Sequence, residues 1–220
     1  MRNLLFADGE IYHIYNRGVE KRPTFTDKRE YERAILSLMY YSFESPSLRL
    51  SKALLLNADE KRRFFQKLKE KSKITEILAY CLMANHYHLL VRQTKKNGIR
   101  KLLTYFGNSY SKYFNTKHKR SGALFQGIFK AVHIEDDEQL THVSRYIHLN
   151  PVSSFIVSEK RLEDYPWSSF PQYTGKVSDG LCNIHIVLDL FSSKNAYKKF
   201  VLDQADYAKT LETIKHLSFD

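Results

Sequence analysis

The 220-residue sequence has little cysteine and no long apolar run. Cys81 and Cys182 are isolated and lack the spacing of a zinc site or a disulfide framework, which excludes a zinc ribbon and a stapled secreted scaffold. A mean hydropathy of −0.46 and the missing apolar run argue against a membrane-spanning helix. The apolar stretch before Asp8 is too short for a secretory signal. We therefore expect a soluble, cytoplasmic protein with two packed, reduced thiols.

Acidic residues are outnumbered by basic ones. The chain has 35 Lys and Arg against 24 Asp and Glu, which gives a formal net charge of +11. This balance favours a polyphosphate partner, and nucleic acid is the first hypothesis. A hydrophobic content of 43%, with 15 Tyr and 14 Phe, indicates a folded globule. The length allows one domain of moderate elaboration.

The hydrophobic patterns predict alternating strands and helices. In chain order they predict a strand over residues 10–16, a helix from Asp27 to about 41, a hairpin of strands over 74–83 and 85–92, a helix over 97–118, a strand ending near 134, and a helix that opens at Asp136 and is limited by Pro151. This βαββαβ order with an added helix favours an α+β fold, in which an antiparallel sheet carries helices on one face.

A pair of histidines lies on the second strand of the predicted hairpin. His86 and His88 are two residues apart, so both imidazoles point to the same face of a strand. Two imidazoles with an amide oxygen could hold a divalent cation that keeps open positions for a phosphate oxygen, which suits Mg²⁺ or Mn²⁺. A pair of structural or solvated imidazoles is the plain alternative. A zinc hydrolase is disfavoured because no glutamate accompanies the pair as a general base.

A tyrosine and an asparagine are four residues apart on the last predicted helix. Tyr146 and Asn150 therefore share a face at the border of the core. A phenol has a pKa of about 10 and becomes a useful nucleophile beside a cation, although a tyrosine at this place is commonly a core-rim residue. His148 falls on the far side of the helical wheel, whereas His142 and His133 are candidates to contact a ligand side chain or a phosphate.

Four motifs occur together in a specific order. They are NHYHLLV at 85–91, GALFQG at 122–127, YIHLNPV at 146–152 and YPWSS at 165–169. In this combination the sequence resembles the single-tyrosine HUH transposases (IS200-like), and within them the branch associated with repetitive extragenic palindromes. The resemblance covers about residues 9 to 175. It implies a transposase-like catalytic domain over 1–175, with an insertion at about 42–73, and a helical C-terminal extension over 176–220.

The resemblance also implies a fold and a chemistry. The fold is a ferredoxin-like sheet with the histidine pair on a central strand. His86 and His88 match the paired metal ligands, Tyr146 matches the nucleophile, and Asn150 matches the third ligand. By this likeness the protein is a metal-dependent endonuclease and strand transferase for single-stranded DNA with palindromic hairpins, working with Mg²⁺ or Mn²⁺ through a 5′-phosphotyrosine. Relatives act as monomers or homodimers, and the sequence leaves both open.

Basic side chains on the long helix predicted over 97–118 and just after it are candidates for phosphate contacts. They are Arg100, Lys101, Lys112, Lys117, Lys119 and Arg120. A solvated surface is the alternative for any one of them. Two other functions also stay open at this point: a non-catalytic or domesticated hairpin-binding protein on the same fold, and a nickase like the replication initiators and relaxases, which usually arrange these motifs in another order.

Overall fold

The computed structural model describes residues 5–178, 180–206 and 209. The strands are β1 (Ile11–Arg17), β2 (Thr75–Met83), β3 (His86–Gln93) and β4 (Lys130–Ile134). The helices are α1 (Lys28–Tyr41), α2 (Leu50–Ala53), α3 (Ala58–Lys69), α4 (Gly98–Lys117), α5 (Asp137–Ser153), α6 (Phe170–Tyr173), α7 (His185–Leu188) and α8 (Lys194–Leu202), with short 3-10 helices at Val19–Lys21 and Glu159–Asp164.

The four strands form one antiparallel sheet in the order β2-β3-β1-β4. Strands β2 and β3 form the predicted hairpin, which turns at residues 84 and 85. Strand β1 lies between β3 and β4 and pairs with both. The order of elements and strands is that of a ferredoxin-like βαββαβ unit, so the predicted α+β fold class is confirmed.

The two faces of the sheet are covered by different helices. On β3, the side chains of Tyr87, Leu89 and Val91 enter a core that they share with α1 and α4. Leu90 points to the opposite face, where its core includes Ile147 of α5. The helices of the βαββαβ unit thus lie on one face, as predicted, and the added C-terminal helices cover the other. The alternation along β3 therefore sends the histidine pair to the α5 face.

Helix α5 begins where the sequence predicts and ends later. The side chain of Asp136 accepts a hydrogen bond from the backbone N–H of Gln139 at 2.7 Å, which caps the first turn. The expectation that Pro151 limits the helix is wrong, because α5 continues to Ser153. Proline in the last turn removes a single intrahelical donor, and the backbone N–H of Ser154 still reaches the carbonyl of Asn150 at 3.0 Å.

The insertion and the C-terminal part both contain helices. Within 42–73 lie α2 and α3, and α3 is opened by a capping box formed by Asn57 and Glu60. The predicted helical tail is present as α7 and α8, and α8 packs on α5, while residues 207, 208 and 210–220 lie outside the described residues. Both cysteines are buried free thiols, as expected. Across the described ranges, no helix is long and apolar enough to cross a membrane.

Candidate active site

The histidine pair lies on the inner strand β3, facing α5. The rings of His86 and His88 are 5.1 Å apart and perpendicular. His88 is nearly buried, with 6% of its surface exposed. Because β1 pairs with β3 in antiparallel register, Tyr15 lies beside His88 and Arg17 beside His86 on this face. The sequence alternation therefore predicts the face of the pair correctly, and β1 supplies neighbours that the hairpin alone does not reveal.

Tyr146 lies against His88 of the histidine pair. Its ring is 5.3 Å from the ring of His88, with the planes almost perpendicular at 86°. The side chain is 46% exposed, so solvent or a ligand can reach it from outside. Helix α5 thus brings the tyrosine and a histidine of the pair together, although 58 positions separate them in the sequence.

Asn150 lies one turn after Tyr146 and is almost buried. Its Nδ2 donates to the backbone carbonyl of Tyr146 at 2.8 Å, which folds the side chain back towards the tyrosine. The amide nitrogen is therefore engaged by the helix itself, and the Oδ1 oxygen remains as the acceptor of this side chain. An amide oxygen is a good ligand for a hard divalent cation.

The chemistry of these side chains fits a divalent cation. Asn85 donates through Nδ2 to the carbonyl of Lys21 at 3.1 Å, so its Oδ1 is the atom that lies 2.7 Å from Nδ1 of His86. Nδ1 must then carry the proton, and the lone pair of His86 is on Nε2, as a metal ligand requires. The described residues contain no group of three His, Cys, Asp or Glu side chains that could hold a metal. A divalent cation at the histidine pair would therefore need further ligands such as an amide oxygen, a phosphate or water.

A third histidine, which the sequence analysis did not single out, joins the pair from β1. His13 is 9% exposed, and its Nε2 lies 3.0 Å from Nδ1 of His88. Its ring is also 5.9 Å from the ring of Tyr146. Burial lowers the pKa of His13 to about 4, so the ring is neutral at neutral pH. The signal that could have found it is its place on β1, where alternation puts it on the same face as Tyr15.

The remaining histidines near α5 are placed elsewhere. His148 points away from Tyr146, as the helical wheel predicts. It is fully buried, with Nδ1 at 2.6 Å from the Tyr197 hydroxyl and Nε2 at 2.8 Å from Ser169 Oγ. His133 does not join the site, because it alternates to the other face of β4 and pairs with Glu10 at 2.7 Å. His142 contacts Arg145, with 3.1 Å between Nδ1 and Nη2.

The basic candidates are divided between surface and structure. Lys117 is held between two carboxylates, Asp27 and Glu30. Burial acts to raise the pKa of Glu30, but hydrogen bonds from Lys117, Thr26 and His118 hold it below its usual value. Arg120 bonds Asn115 and the carbonyl of Ala123. The other four candidates are exposed: Arg100, Lys101, Lys112 and Lys119.

Two cations that the sequence analysis did not single out lie on the sheet face that carries the histidine pair. They are Arg17 and Lys130, which are both exposed and are placed there by the strand register. The Lys130 Nζ is 5.9 Å from the centre of the Tyr15 ring, and that ring stacks on His88 at 5.7 Å. The face therefore combines positive charge with an aromatic surface beside Tyr146, which suits a nucleic-acid strand.

Comparisons with known proteins relate this chain to a family model and to a solved structure. Residues 52–150 match the family model described as "Transposase IS200 like". The fold matches a solved structure of a REP-associated tyrosine transposase bound to a REP hairpin, with a TM-score of 0.52, 16% sequence identity, and coverage of 88% of this chain and 95% of that chain. No curated protein matches the sequence. The segment that matches the family model contains His86, His88, Tyr146 and Asn150, and over this segment the chain is similar to the IS200-like transposases.

Proposed function

We propose that the protein cuts and rejoins single-stranded DNA near hairpins, with Tyr146 as the nucleophile. The observation that carries this proposal is the 5.3 Å contact between the ring of Tyr146 and that of His88 on a face that also holds His86. The family match, together with the REP hairpin to which the structural relative is bound, supports DNA hairpins as the partner.

The proposed reaction is a transesterification, which exchanges one phosphoester bond for another and consumes no further reactant. The phenolate oxygen of Tyr146 forms a bond to the scissile phosphorus, and the bond between phosphorus and the 3′-oxygen breaks. The 3′-oxygen takes up a proton, which leaves a 3′-hydroxyl and a 5′-phosphotyrosine. Attack by a 3′-hydroxyl on the phosphotyrosine reverses the step and joins strands, because the linkage retains the phosphodiester energy.

The side chains of this chain have separate tasks. His86, His88 and Asn150 would hold Mg²⁺ or Mn²⁺, which when bound supplies Lewis-acid stabilisation of charge on a phosphate oxygen. Helix α5 fixes the nucleophile against the pair, because Ile147, next to Tyr146, is fully buried in the core beneath it. Arg17 and Lys130 would contact the backbone of the incoming strand, and such contacts do not depend on base sequence.

The test is capture of the covalent adduct. Purified protein is incubated with single-stranded DNA that carries a palindromic hairpin from its genomic neighbourhood, with Mn²⁺, and then analysed by denaturing gel and peptide mass spectrometry. We expect an adduct on the peptide that contains Tyr146, lost with chelator and in Tyr146→Phe, while hairpin binding persists. Tyr105→Phe is the matched control, since Tyr105 is similarly exposed at 48% but lies on α4.

Two results would contradict the proposal in different ways. An adduct that survives in Tyr146→Phe would move the nucleophile to another residue. Tight hairpin binding by the unsubstituted protein without an adduct, across hairpins with varied flanking sequence, would indicate a binding protein on the same fold rather than an enzyme.

A further inference from the structure

His13 forms a direct contact with one histidine of the pair. The two rings lie edge to edge, with centres 5.2 Å apart and planes inclined by only 23°, and the His13 Nε2 is 3.0 Å from the His88 Nδ1. At this separation the two nitrogens share one proton, so one of them donates and the other accepts. The direction of this hydrogen bond decides which nitrogen of His88 carries its lone pair.

The tautomer of His86, the other histidine of the pair, is fixed by a neighbouring side chain. Asn85 accepts from Nδ1 of His86, and the contact of its own Nδ2 with Lys21 fixes that direction. His86 therefore has the tautomer whose lone pair is on Nε2. For both imidazoles to act on one cation in the same way, His88 needs an acceptor beside its Nδ1, and His13 occupies that position.

We propose that His13 is a positioning residue whose Nε2 accepts a hydrogen bond from Nδ1–H of His88, which directs the Nε2 lone pair of His88 to the divalent cation. The inference rests on the proposed metal site and extends it by one residue from a different strand. His13 and Asn85 then do the same work for the two histidines, one from β1 and the other from the hairpin turn.

The first measurement reads the tautomer directly and needs no metal. Long-range proton–nitrogen NMR correlation of ¹⁵N-labelled, metal-free protein, recorded at about pH 8 where histidine is neutral, distinguishes Nδ1–H from Nε2–H imidazoles. We expect Nδ1–H for His88, and a mixture of tautomers for His88 in His13→Leu. His86 is the internal reference, because Asn85 should keep it as Nδ1–H in both proteins.

The second measurement is the affinity for Mn²⁺ alone, by electron paramagnetic resonance titration. We expect His13→Leu to weaken Mn²⁺ binding by about 10- to 100-fold, as for other residues that orient a metal ligand. His13→Gln should restore most of the affinity, since its Oε1 reaches the position of the imidazole Nε2. His13→Asn is the matched variant. Its side chain is shorter, so its Oδ1 does not reach that position, and it should behave like His13→Leu.

Further controls separate positioning from folding. His133→Leu removes a histidine from the neighbouring strand on the opposite face and should leave Mn²⁺ affinity unchanged. Urea unfolding of each variant shows whether any loss of affinity follows from a loss of structure. A His88 found as Nε2–H in the unsubstituted protein, or equal affinities of His13→Gln and His13→Asn, would overturn the proposal.

Failure of the proposed function gives a different result. If the unsubstituted protein shows the Nδ1–H tautomer of His88 but binds no Mn²⁺, the metal chemistry is overturned, and with it the purpose assigned to His13. If it binds Mn²⁺ and His13→Leu binds it equally well, the metal site stands and the role of His13 is refuted.

Discussion

The hydroxyl of Tyr197 connects the C-terminal helix α8 to the helix that carries Tyr146, and removing it should destabilise the protein measurably. The hydroxyl lies 2.6 Å from Nδ1 of His148 and 3.0 Å from Oγ of Ser144, in a region without solvent access. Tyr197→Phe leaves both groups short of a partner. Ser144 also donates to the carbonyl of Thr141 at 2.8 Å, so His148 loses more. We expect a loss of about 2–3 kcal/mol in the free energy of unfolding.

The assay is urea unfolding followed by circular dichroism, with two matched tyrosine-to-phenylalanine variants. Tyr40→Phe removes one bond, from the hydroxyl to the carbonyl of Leu48 at 2.6 Å, and should cost about 1 kcal/mol. Tyr105→Phe changes an exposed side chain and should cost about zero. The urea dependence should be the same in all variants. A Tyr197→Phe protein as stable as Tyr105→Phe would refute the reasoning.

Three other outcomes follow from the same structure. Burial lowers the pKa of His148 from near 6.5 to about 3. The contribution of neutral His148 to the free energy of unfolding is therefore complete above pH 6.5 and is lost as the pH falls towards 3. His148→Gln should flatten this pH dependence, measured by urea unfolding at several pH values. Lys117→Met removes the ion pair with Glu30 and should lower the free energy of unfolding by about 2 kcal/mol. Lys112→Met, on the exposed surface of the same helix, should lower it by almost nothing, and equal losses would contradict a structural role for Lys117. Lys101→Ala should weaken hairpin binding and reduce its logarithmic salt slope by about one, measured by fluorescence anisotropy; an unchanged slope would remove Lys101 from the interface.

Local patterns predict most of the fold. Asp27 caps α1 as expected, and the hairpin, the long fourth helix and the order of elements follow from apolar spacing and turn residues. The end of α5 was beyond these rules, because the steric cost of Pro151 in a last turn is offset by burial of Val152 and its neighbours in the core.

The sequence predicts only those relations within the candidate site that hold between residues of a single helix or strand. The faces shared by His86 and His88, and by Tyr146 and Asn150, follow from periods of two and four residues. His13 lies on β1 and Lys130 on β4, and both reach this face because β1 pairs with β3 and with β4. Residue spacing along one strand does not show which strands pair. The sequence left His133 undecided for the same reason, since the face of a strand residue depends on register, and a shift of one position reverses it.

The contact between Tyr146 and His88 is made within a single chain. If the tyrosine and the histidine pair came from separate polypeptides, a site would form only when two copies meet. The rate of DNA cleavage per protein molecule would then fall on dilution. Here Tyr146 and the histidine pair belong to one polypeptide and are held by the same core, so the proposed cleavage step is expected to be first order in protein once DNA is bound.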